Sequence, residues 1–229
     1  SMKSVSLILF FSFIFFASHA QTDAIGDFNK HVIEKWSEDF IRISQYKVKG
    51  SPYLLGESFD GSLTVKSGVV AANQKILYDL YNQKVGVEIN KELIKPDGEV
   101  VSFYIQLPEK FGSEKLEFIN AANLKNVTLK GYLNTLETGS KLVLLRQYKT
   151  RVIADPANMY SKDFRIFEQY YDYFIYNVVT SSLEKIKLKQ KDVVSALSGL
   201  PASVVNAAEG ADLNTLSAIR DFVKKVNGN

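Results

Sequence analysis

The chain has 229 residues, with 28 Lys and Arg against 25 Asp and Glu, 46% hydrophobic residues, two His and no Cys. That apolar content excludes a disordered chain, which could not offset its own conformational entropy. Without Cys there are no disulfides and no thiolate chemistry, and two His leave little for metal or acid–base work.

Residues 1–20 have the pattern of an export signal. Lys3 supplies the positive charge, Val5–Ala17 is an apolar run of 13 residues, and Ser18 and Ala20 are small residues before a cleavage point at Gln21. The run falls short of the roughly 20 residues that span a bilayer. No Cys follows it, which excludes lipid anchoring. Cleavage would remove Lys3 and His19, leaving 27 basic against 25 acidic residues, a net charge of +2 and the single His31. No later stretch is apolar enough for a transmembrane segment, so the mature chain is expected to have none.

Within the following segment, 21–50, Ile25, Phe28, Val32, Ile33, Trp36, Phe40 and Ile43 recur at helical spacing, which predicts an amphipathic helix over 25–43. Gly50-Ser51-Pro52 breaks it. From 51 to 189 the texture is β. Asp60-Gly61, Ser67-Gly68, Pro96-Asp97-Gly98 and Thr138-Gly139-Ser140 mark turns between short runs of Val, Ile, Leu, Tyr and Phe. Strands are expected near 62–66, 75–81, 84–90, 100–106, 116–119, 128–136, 141–152, 168–177 and 182–188. Residues 190–229 return to helix. Pro201 suits a first turn, Gly210 a helix end, and Asp212 an N-cap for a last helix striped by Leu213, Leu216, Ile219, Phe222, Val223 and Val226. The expected fold is α+β. It is a mostly antiparallel sheet (meander, sandwich or open barrel) with an N-terminal helix and a C-terminal group of short helices packed on it.

Catalytic signatures are few. One His and no Cys argue against zinc, and no Asp-x-Asp-x-Asp-Gly loop exists for calcium. Gly-x-Ser-x-Gly and Gly-rich phosphate loops are missing from the sequence, so neither a cofactor nor a catalytic residue is implied. Glu57 with Asp60, and Glu88 with Glu92, are the acidic pairs that a glycan hydrolase would need; as isolated pairs they read more plainly as solvated turn residues.

The densest aromatic cluster is Tyr170-Tyr171-Asp172-Tyr173-Phe174-Ile175-Tyr176. In a strand, Tyr171, Tyr173 and Ile175 share one face, and Tyr170, Asp172, Phe174 and Tyr176 the other. A strand buried on both faces is the plainer account; the alternative is a binding platform, because Tyr offers a flat ring and a hydroxyl. Lys185, Lys187, Lys189 and Lys191 alternate with Ile186, Leu188 and Gln190, which reads as a solvated strand face or a rim for an anionic partner. Tyr171, Tyr173 and Lys187 are therefore the candidate ligand-binding residues. A net charge this small argues against nucleic acid.

Taken in order, Gly50-Ser51-Pro52-Tyr53-Leu54, Gly61-Ser62-Leu63-Thr64-Val65, Leu77-Tyr78-Asp79-Leu80-Tyr81-Asn82, the Tyr170–Tyr176 run, the Lys-rich segment to Lys191 and the ending Phe222-Val223-Lys224-Lys225-Val226-Asn227 resemble an uncharacterised exported family of Bacteroidetes. The resemblance spans about 50–227. It implies an address in the bacterial envelope and no site residues. The expectation is thus a non-catalytic exported protein, periplasmic, surface-bound or secreted, that binds an envelope protein, a glycan or a lipid. A carboxylate-dependent glycan hydrolase and a structural subunit pairing through an exposed strand edge are the other two readings.

Overall fold

Alternation of apolar and polar residues builds strands over most of the segment where the sequence places them. A computed structural model describes residues 47–90, 92–158 and 164–228; the helix expected over 25–43 lies outside them. Eleven strands occur among the described residues: β1 (Lys47–Lys49), β2 (Phe59–Val65), β3 (Val70–Asp79), β4 (Lys84–Ile89), β5 (Glu92–Ile94), β6 (Val100–Gln106), β7 (Lys115–Asn120), β8 (Tyr132–Glu137), β9 (Leu142–Ala154), β10 (Phe164–Asn177) and β11 (Ser182–Ile186). Three helices follow: α1 (Gln190–Ser195), α2 (Ala202–Glu209) and α3 (Leu216–Asn227).

All the strands join one sheet in the order β1-β10-β9-β8-β7-β6-β2-β3-β4-β5, with β11 also on β10. The pairs are antiparallel except β1 against β10, which is parallel, with Val48 opposite Arg165. The sheet is therefore mixed, and it begins inside the segment expected to be helix and linker. Two strands share one side of β10. β1 covers its start and β11 covers Tyr173–Asn177.

The sheet is strongly curled. Four strand-to-strand steps separate β3 from β8, which would be about 19 Å in a flat sheet. Yet the rings of Tyr78 on β3 and Tyr132 on β8 lie 5.8 Å apart. The cup this makes is filled by Leu63, Tyr78, Phe103, Phe118 and Tyr132 among others, with Phe103 and Phe118 stacked at 4.5 Å. A bulge sharpens the bend: the β2–β3 register shifts between Gly61 and Leu63, with Asn73 left-handed at φ 55°. Gly61 is required there, because a Cβ would overlap the Tyr104 carbonyl oxygen on β6.

A second core lies on the far part of the β9–β10 ribbon. Leu142, Leu144, Ile175 and Ile186 on the sheet pack against Val193, Leu197, Ala208, Leu213, Ile219, Phe222, Val223 and Val226. The stripe on α3 is the expected one from Leu216 onward, with Leu213 lying before the helix, and each of its four buried side chains contributes roughly 2 kcal/mol at most. Thr215, not Asp212, caps α3, its Oγ1 accepting from the Ala218 N–H at 3.2 Å. Asp212 instead accepts from Asn214 Nδ2 at 2.6 Å. The opposite face of the same ribbon carries Leu145, Phe174 and Tyr176 under Leu124, Val127 and Leu129. Residues 128–131 therefore do not extend β8 as expected; the chain there crosses the sheet face as a cover.

The Lys-rich segment is not one strand. β11 stops at Ile186, because the Lys187 N–H is taken by the Asp192 carboxylate at 2.9 Å and α1 begins at Gln190. Lys187, Lys189 and Lys191 are exposed but do not form a single strand face.

Candidate functional site

The β9–β10 ribbon is a long antiparallel ladder in which Leu144 faces Ile175, Arg146 faces Tyr173 and Tyr148 faces Tyr171. The pleat puts all six on one face. The helices cover the Leu144–Ile175 end, and Tyr148 packs against the cup core. Between these two cores lie Arg146, Tyr171 and Tyr173. Tyr171 is 52% exposed, and Tyr173 and Arg146 are half-buried.

The tyrosine run thus splits along its length. Phe174, Ile175 and Tyr176 are buried on both faces, as the plainer account of the run holds. Tyr173 still packs partly against the helical core, and Tyr170 and Tyr171 beyond it are exposed. Tyr171 and Tyr173 are brought together, with ring centroids 5.3 Å apart at 64°. Tyr148 meets Tyr171 edge-on at 6.2 Å.

Arg146 completes the group. Its guanidinium carbon lies 4.5 Å from the Tyr148 ring centroid and 5.8 Å from that of Tyr171, both within cation–π range. Asn134 on β8 faces it directly, and Arg146 donates to Asn134 Oδ1 from Nε at 3.3 Å and from Nη2 at 2.9 Å. Asn134 is only 1% exposed, and its own Nδ2 donates to the Glu117 carbonyl at 2.9 Å. The guanidinium is thus held at a set angle by a side chain that is itself fixed. Burial pushes the Tyr148 hydroxyl up to about 12, Arg146 pulls it down, and Glu114 pushes it up from a distance. Burial and the neighbouring Tyr171 raise the Tyr173 hydroxyl, against a lowering by Arg146.

The other face of the ribbon has a different chemistry. Asp172 binds Lys149 at 3.1 Å and Lys185 at 2.8 Å, and Arg151 binds Glu168. Burial pushes the Asp172 carboxyl up, but the two ammonium groups outweigh it and hold the carboxyl below its usual range. Lys185 is thus tied to the face opposite Tyr171 and Tyr173. Lys187 stands one residue beyond β11, exposed, with its backbone on Asp192.

Three of the four acidic residues singled out for hydrolysis are held by neighbours. Glu57 pairs with Lys110, Asp60 with Lys75 at 2.8 Å, and Glu88 accepts from Ser58 Oγ at 2.6 Å. Among the described residues no group of three or more His, Cys, Asp or Glu is placed to hold a metal ion. No helix among them is long and apolar enough to cross a membrane. A cavity of about 360 Å³ opens elsewhere, between the β3–β4 hairpin and the loop before β6, with Lys84, Lys95, Asp97, Glu99 and Tyr132 in its wall. It shares no residue with the Arg146 group. As for a free strand edge, β10 has no paired strand between β1 and β11, but Gln169 there donates to the Tyr53 carbonyl at 2.7 Å and accepts from the Leu55 N–H at 3.3 Å.

Sequence reasoning missed Arg146, Tyr148 and Asn134. The alternation Leu142-Leu144-Arg146-Tyr148 was a usable signal, since it sets an arginine on an otherwise apolar strand face. The register that pairs it with Tyr173 was not visible. No protein-family model, curated protein or solved structure matches this chain.

Proposed function

We propose that this chain is a non-catalytic exported protein that binds a glycan chain on the open face formed by Tyr171, Tyr173, Tyr148 and Arg146. The observation that carries this reading is Tyr171: a large ring, 52% exposed, framed by two further tyrosines on the long β9–β10 ladder. Sugars present apolar C–H faces and rims of hydroxyls, and tyrosine matches both with its ring and its O–H. An open face suits a chain laid across it, where a small molecule would need a cavity. The export pattern of Lys3, Val5–Ala17 and Ser18–Ala20, with the motif order from Gly50 onward, supports an envelope or extracellular address.

Glycan-array screening followed by titration calorimetry tests the reading. Tyr171→Ala should weaken binding by about tenfold or more, as truncation of a central aromatic anchor does. Its thermal unfolding should match the parent, because the ring is largely outside both cores. Unchanged affinity in that variant would show that the face is not the site. Appearance of new reducing ends in the bound glycan would overturn the non-catalytic part.

A further inference from the structure

We propose that the glycan held by this face is acidic, a uronate-bearing chain, and that Arg146 reads its carboxylate. The inference rests on the glycan-binding reading above and adds the ligand's charge to it.

A guanidinium has five N–H donors in a planar fork. In Arg146 one from Nε and one from Nη2 go to Asn134 Oδ1 and one more to the Tyr173 hydroxyl, which leaves two. Arg151 and Arg220 are each neutralised by a carboxylate, Glu168 and Glu137 respectively. Arg146 makes no ion pair among the described residues. Glu114 acts on the Tyr148 hydroxyl from a distance but makes no ion pair with Arg146. A half-buried cation without a counter-ion is costly, and its contacts with two rings offset only part of that cost. The fixed Asn134 amide sets the plane of the fork before any ligand arrives, so little side-chain entropy remains to be lost on binding. A planar carboxylate is the group that such a fork fits, by two parallel charge-assisted hydrogen bonds.

The surroundings select the bearer of that carboxylate. An anionic lipid surface would be met by several mobile ammonium groups. The lysines within β9 and β11, Lys149 and Lys185, are on the opposite face and bound to Asp172. An extended peptide would pair along the β10 edge, where Gln169 already bonds Tyr53 and Leu55. Rings of Tyr148, Tyr171 and Tyr173 around one guanidinium match a sugar ring that carries its acid on the same unit.

The test is calorimetric titration of the full chain with oligogalacturonate, alginate oligosaccharides and hyaluronan oligosaccharides. Each is matched by its carboxyl-esterified or carboxyl-reduced neutral form. At least one acidic glycan should bind about tenfold or more tightly than its neutral counterpart. Arg146→Gln should remove that preference while leaving the weaker neutral binding in place, whereas Tyr171→Ala should weaken both forms alike. Arg146→Lys keeps the charge and the packing of the stem. It should retain only a small part of the preference, and it serves as the folded control if Arg146→Gln proves unstable. Equal binding of acidic and neutral forms, or a preference that survives both Arg146 variants, overturns the carboxylate assignment and leaves the binding face standing. Failure of every glycan to bind overturns both. Arg146-dependent capture by vesicles of phosphatidylglycerol and phosphatidylcholine, with no acidic glycan bound, also overturns it in favour of a lipid headgroup.

Discussion

Residues Gly139 and Asn227 give the sharpest test of how the helical tail is fastened. Asn227, the last residue of α3, lays its carboxamide along the start of β9. Its Oδ1 accepts from the N–H groups of Lys141 at 3.0 Å and Leu142 at 3.1 Å, and its Nδ2 donates to the Leu142 carbonyl at 2.9 Å. Lys141 is exposed, so water can replace the first of these bonds, but Leu142 is fully buried. Each of its two bonds contributes about 1 kcal/mol net and leaves a poorly solvated group when lost. Asn227→Ala should therefore cost about 2–3 kcal/mol. Gly139 sits directly against this carboxamide, and a Cβ there would overlap it. Gly139→Ala should expel the same group and cost about 2 kcal/mol, slightly offset by the loss of glycine's freedom in the unfolded chain. The two losses are one loss. In the double variant the methyl occupies vacated space, so its stability should equal that of Asn227→Ala alone, a coupling of about 2 kcal/mol. Urea unfolding followed by far-ultraviolet circular dichroism, with an unchanged denaturant slope, measures all four corners of the cycle. Additive costs would refute the shared clamp.

Two further predictions concern pH. The Asp172 carboxyl is held below its usual range by Lys149 and Lys185. The stability it contributes is therefore fully present above its unfolded value of about 4 and is lost as pH falls through the lower folded value. Asp172→Asn should cost about 1 kcal/mol at neutral pH, and the difference from the parent should shrink steadily in urea titrations below pH about 4; a gap that stays constant into acid would rule out the ion pairs as its source. At the alkaline end, burial first and then Glu99 push the Tyr132 hydroxyl up to about 12. The protonated phenol is favoured in the folded state, so stability should decline as pH rises from about 10, the unfolded value, towards that folded value. Tyr132→Phe should flatten this decline, read as the pH dependence of the melting temperature, and an equally steep fall in the variant would assign it to other groups.

How far the sequence led depended on whether the deciding contact was local. Residues 100–106 alternate cleanly between turn signals and form β6 with those bounds. The stripe from Leu216 to Val226 has helical spacing and forms the buried side of α3. Where a distant partner decides, pattern failed. Lys47–Lys49 is three residues long and is a strand only because β10 lies beside it. Thr128 to Lys130 has strand-like composition, but Leu129 is drawn onto the Leu145–Phe174 face as a cover. Tyr171 and Tyr173 were legible as a pair because they sit two apart on one strand. Arg146 stands far from them in sequence and joins them only through the β9–β10 register. The lysine alternation misled, since the Asp192 carboxylate takes the Lys187 N–H and the strand ends at Ile186.

The ribbon's second core has a consequence for the order in which the molecule can be made. Leu142, Leu144 and Ile175 belong to strands near the middle of the chain, yet the side chains that close over them include Ile219, Phe222, Val223 and Val226. The cup can assemble as soon as β2 to β9 are available. The seam that holds Arg146 and the tyrosines gains its second wall only when residues 216–227 arrive. During synthesis the chain would carry an open apolar seam until that last helix emerges. The face around Arg146, Tyr171 and Tyr173 is thus completed last, by a helix that contributes no residue to it.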